Sequence, residues 1–159
     1  MKKKAGFTLI EVLIAMIILA VGLLGLAGLQ ATSLRNNQSA YNRSVATQMA
    51  YDIADRMRAN YTYAKKSTGN VYVTTTTPST SAVENCTNTT GCTPAQMALN
   101  DLYEWNQSII SSLPSTTAKP AKGIITIAGN VFTVTINWDD NRDGYVDNKD
   151  PHFQMSFQL

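Results

Sequence analysis

The sequence predicts an α+β chain, with a long N-terminal helix, membrane-spanning in its first half, packed on a small antiparallel sheet. Three observations carry that expectation. An apolar run of 18 residues occupies Val12–Leu29. The stretch from Gln30 to Tyr61 then contains neither proline nor glycine. The C-terminal third instead alternates apolar and polar residues, the period of a half-buried strand. The chain has 159 residues, enough for one core beside the apolar segment.

The first element starts behind Lys2, Lys3 and Lys4. From Phe7 to Leu29 only Thr8 and Glu11 are polar. As a helix this stretch spans about 34 Å, enough to cross a hydrocarbon core of about 30 Å. The lysines belong on the cytoplasmic side, which puts everything after residue 30 across the inner membrane. A cleaved secretory signal is the simple alternative, and Gly25-Leu26-Ala27 offers small residues for it. Two features oppose that reading. The apolar run exceeds a signal core, and Glu11 sits near its start, where a central carboxylate would cost about 2.5–3.5 kcal/mol.

The glycines at 22, 25 and 28 either allow close helix approach or permit unwinding. Beyond them, Val45, Ala46, Met49, Ile53 and Met57 follow helical spacing. Arg43, Arg56 and Arg58 lie mostly off that stripe. The second half of the helix, ending near Asn60, should therefore bury one face against a head.

Residues 67–93 hold 13 serines or threonines and read as a surface loop, with a short strand around Val71–Val73. Cys86 and Cys92 fit neither a usual zinc pair nor a C-x-x-C centre. Outside the inner membrane they read as a structural disulfide. Thr93-Pro94-Ala95-Gln96 has the N-cap, the proline and the glutamine of a helix start. Ala98, Leu102, Trp105 and Ile109 form its apolar stripe, and Leu113-Pro114 ends it. Ile124–Ala128 and Val131–Trp138 flank Gly129-Asn130, a two-residue hairpin signal. Phe132, Val134, Ile136 and Trp138 share one face, as do Phe153, Met155, Phe157 and Leu159 in the last segment. His152 falls on the polar face and reads as a surface residue.

Between those strands, Asp139, Asn141, Asp143, Tyr145, Asp147 and Asp150 match positions 1, 3, 5, 7, 9 and 12 of a calcium loop, with Gly144 at 6. Asp150 departs from the usual bidentate glutamate, and no helices flank the loop. Ca2+ is thus the one candidate cofactor, against a polar hairpin loop rich in Asp, Asn and Gly.

Composition excludes several functions. Without Lys2, Lys3 and Lys4 the balance is 10 basic residues against 11 acidic, which disfavours a nucleic-acid partner. One histidine, with no G-x-S-x-G, H-E-x-x-H or P-loop, supports no enzyme and no catalytic residue.

The segment Lys2-Lys3-Lys4-Ala5-Gly6-Phe7-Thr8-Leu9-Ile10-Glu11-Val12 resembles the prepilin motif of type IV pilins and pseudopilins. The resemblance implies a type IV pilin-like fold, a cut between Gly6 and Phe7 by a prepilin peptidase, and N-methylation of Phe7. It further implies that Glu11 pairs with the terminal amine of an adjacent subunit and sets register during assembly. Its divisions are a leader at 1–6, a transmembrane and filament-core helix at 7–30, and a periplasmic or extracellular head at 31–159.

The segment from Cys92 to Ala98, with Asp101-Leu102-Tyr103-Glu104-Trp105, resembles the PilV group of minor pilins, the type IV pilus modification proteins. That group implies priming or modification of pilus assembly, with effects on adhesion and twitching motility. The implied partners are other minor and major pilins, the inner-membrane assembly platform and a tip adhesin. A minor pseudopilin of type II secretion shares the leader and helix. A DNA-receptor pilin would want a basic, aromatic patch, for which the head offers little beyond Lys65, Lys66, Lys119 and Lys122.

Overall fold

The computed structural model describes residues 6, 8–66, 69–74, 82–83, 86, 91–147 and 149–159. Among the described residues, three helices precede three strands: α1 (Leu9–Ala59), α2 (Tyr61–Ala64), α3 (Pro94–Ser112), β1 (Lys122–Ala128), β2 (Val131–Asn137) and β3 (His152–Gln158). A 51-residue helix with a three-stranded antiparallel sheet is the α+β arrangement the patterning predicts. The chain divides into two units, residues 1–40 and 41–159.

The first unit is the start of α1. Gly22, Gly25 and Gly28 lie inside it without interrupting it, and a methyl group added at any of them would meet open space. With no proline to remove a backbone donor, the helix tolerates its glycines.

In the second unit the rest of α1 supplies one wall of the core. Ala46, Ala50, Ile53, Ala54 and Met57 are fully buried, and Val45 nearly so. Their spacing puts them on one helix face, as the stripe predicts. Helix α3 adds Ala98, Leu102, Trp105 and Ile109, also buried. Its start is the predicted one: the Thr93 side chain accepts from the Gln96 backbone, and the Gln96 side chain accepts from the Thr93 backbone. The Trp105 indole donates to the Met49 carbonyl at 2.8 Å, tying α3 to α1.

The strands are ordered β1-β2-β3. Ala128 pairs with Val131 across Gly129-Asn130. A positive φ of 61° at Gly129 alone is the pattern of a type II′ hairpin turn. Phe132, Val134, Ile136 and Trp138 are buried, and Phe153, Met155, Phe157 and Leu159 pack against the same core. Gly123 in β1 faces the Trp105 ring so closely that a Cβ there would overlap it.

The strand expected around Val71–Val73 is not formed. The chain turns there, buries Tyr72 completely, and makes an isolated antiparallel bridge between Thr74 and Ile125. Tyr72 Oη donates to Asp101 and accepts from Asn60 Nδ2, and these bonds hold the segment as a turn. Much of the Ser/Thr-rich stretch, including 75–81, lies outside the described residues. Cys86 and Cys92 are joined by a disulfide.

Candidate assembly site on the N-terminal helix

Thr8 begins the site. Its hydroxyl accepts a hydrogen bond from the Glu11 backbone N–H at 3.4 Å, beside a 3.1 Å bond from the same N–H to the Thr8 carbonyl. Thr8 therefore caps α1 and satisfies one of the donors a helix start leaves open. The T-x-x-E spacing from Thr8 to Glu11 is the local sequence signal for this cap. Glu11 stands in the first turn, where the positive end of the helix dipole favours a carboxylate. Its side chain is exposed and has no partner among the described residues.

Below Glu11, the helix face and back are equally bare. Leu9 is 80% exposed and Leu29 is 71% exposed. None of the most apolar 18-residue stretch of the helix is buried. Leu9 to Leu29 as a helix measures about 31 Å, the thickness of a hydrocarbon core. So much apolar surface is stable only under lipid or against other helices.

Gly6 is open on all sides, with nothing within 4 Å of an added Cβ. Phe7, the other half of the expected cleavage site, lies outside the described residues, as do Lys2, Lys3 and Lys4.

The acidic loop is folded by bonds from its own backbone N–H groups to its carboxylates and amides. Both Asp139 oxygens accept backbone N–H bonds, from Asp143 at 3.2 Å and Gly144 at 3.0 Å. Asn141 Oδ1 accepts from Asp143 N, and Asp143 Oδ1 accepts from Tyr145 N. Asp150 takes N–H bonds from Asp140, Asn141 and Asp147, while Asp147 Oδ1 accepts from Lys149 N. Gly144 has φ 91°, the turn its position required, and Arg142 also adopts a positive φ of 60°. Among the described residues, no three His, Cys, Asp or Glu side chains gather closely enough to hold a metal ion. The candidate ligands Asp139, Asn141, Asp143, Asp147 and Asp150 each accept a backbone N–H bond within the loop, and Tyr145, whose candidate donor is its backbone carbonyl, has an exposed side chain.

The comparisons with known proteins agree with the helix. The prokaryotic N-terminal methylation motif matches residues 1–27, and the family described as type IV pilin Tt1218 matches residues 28–103. The chain is a member of the type IV pilin superfamily. No curated protein and no solved structure matches it. As a pilin it is anchored in the inner membrane by α1 before assembly, interacts with the prepilin peptidase and other pilins, and serves in a pilus or pseudopilus. The pilin family is structural, not enzymatic.

One charged cluster of the pilin head escaped the sequence reading. Arg56 was placed off the buried stripe, yet its guanidinium reaches Glu104 at 2.7 Å, Asp52 at 3.1 Å and Asp101 at 3.3 Å. The hydrogen bond from Arg56 holds the Glu104 carboxyl below its ordinary range. Burial, then the bond to Asp101, pushes the Tyr72 hydroxyl well above its ordinary value. Asp52 four residues before Arg56 was a local signal; Asp101 and Glu104 were not foreseeable without the fold.

Proposed function

We propose that this pilin is a minor subunit of a type IV pilus, of the PilV kind, that primes or modifies assembly and contributes to adhesion and twitching motility, without catalysing a reaction. The observation that carries the reading is the uncovered apolar helix with one carboxylate, Glu11, in its first turn. In this reading the peptidase cuts between Gly6 and Phe7, and Phe7 becomes the methylated N-terminus. Residues 7–30 enter the filament core. Residues 31–159 form the head, periplasmic before assembly and at the cell surface afterwards. Glu11 then meets the amine of a neighbouring subunit, and leaving either charge alone in the apolar core costs about 3–5 kcal/mol.

Support for the PilV kind comes from α3. The resemblance covers Cys92–Ala98 and Asp101–Trp105, which hold the disulfide end, the capping box and the core tryptophan. A secretion pseudopilus would use the same leader and helix. Tandem mass spectrometry of sheared surface filaments separates the two. Peptides of the head in those filaments favour the pilus. Absence there, with co-purification on a secretion complex, moves the assignment to the pseudopilus.

A further inference from the structure

Under the β2–β3 loop lies a hollow of about 420 Å³. It opens at the end of the sheet face turned away from the core. Its floor is one register row: Lys122 pairs with Asn137, and Asn137 pairs with His152. Adjacent strands are about 4.8 Å apart, so three nitrogen-bearing side chains stand side by side. None of the three side chains makes a hydrogen bond or ion pair among the described residues.

The rest of the lining narrows the chemistry. Asp150 is buried and already accepts three backbone N–H bonds, so its charge is shared locally. Asp147 has Lys149 Nζ 3.8 Å away and retains capacity to accept a bond. Ile124 and Val146 add apolar surface. Two carboxylates beside the donors oppose a multiply charged anion such as phosphate. A singly charged acid that also carries hydroxyls suits the set: its carboxylate takes donors, its hydroxyls take Asn137 and Asp147, and its C–H face covers Ile124 and Val146. The volume lies in the lower range of small-molecule sites.

We propose that this hollow binds an acidic sugar, with the carboxylate held by Lys122 and His152. The inference goes beyond the filament reading and holds for a pilus or a pseudopilus alike. Full-length protein in detergent micelles, titrated with D-glucuronate and followed by saturation-transfer NMR and calorimetry, tests it. Millimolar binding is expected, at least about tenfold weaker for D-glucose and for acetate. Lys122→Gln and His152→Ala should each weaken glucuronate about tenfold at unchanged melting temperature, while Ser156→Ala on the same sheet face should not. No binding at tens of millimolar, equal binding of acetate or of D-glucose, or full affinity in both variants overturns the proposal.

Discussion

Glu11 sets the scale of what one residue decides. As the only charged residue between Lys4 and Arg35, it is costly in lipid, and in the proposed role it finds a partner in the filament. Glu11→Val should leave membrane insertion intact and lower the protein's share of sheared filaments at equal cellular abundance, read by quantitative mass spectrometry. Normal incorporation would remove the pairing role. In the head, Asp139→Ala strips the Gly144 N–H of its acceptor and the Asp143 N–H of one of its two, at a site 3% exposed. It should cost about 2 kcal/mol in chelator, read by thermal melting. A larger loss with calcium present would assign the cation to the loop. Gly123→Ala would push a methyl group into the Trp105 ring and should cost about 1–3 kcal/mol, measured by urea denaturation.

At the scale of elements, α3 is the clearest case of local encoding. Its cap, proline and stripe all lie within twenty residues of sequence and need no distant partner to be read. Thr93→Ala should lower head stability by about 1 kcal/mol, with Thr93→Ser nearly neutral, by thermal melting. The turn at 71–74 is the opposite case. Val71-Tyr72-Val73 has strand propensity, but Tyr72 is drawn into the core by Asn60 and Asp101, 12 and 29 residues away. Propensity there lost to a tertiary hydrogen bond. The strand pattern succeeded in β2 and β3 because both have one face on the core, which fixes their register.

The whole molecule answers to pH through the groups that join its elements. Glu104 titrates below its ordinary 4.5, so the stability it lends is complete above that value and is lost as pH falls through its lower folded value. Tyr72 titrates above its ordinary 10.0, so its contribution is complete below pH 10.0 and fades as pH rises beyond it. Melting temperature of the head should therefore fall at both extremes. Tyr72→Phe should flatten the alkaline side alone, and an unchanged alkaline limb would exclude Tyr72 as its cause.

By itself the sequence determined the leader motif, the long helix with its apolar half, the capped helix α3, the hairpin and the two strand faces. Each of these is a local pattern, because helical and strand periods repeat over a few residues and caps and turns are written in adjacent ones. Tertiary structure alone decided where Arg56 finds its acids, why Tyr72 is buried, why residue 123 must be glycine, and that Lys122, Asn137 and His152 stand in one row. Those facts depend on which distant segments meet and in what register, and burial of a shared core fixes both only when the chain folds.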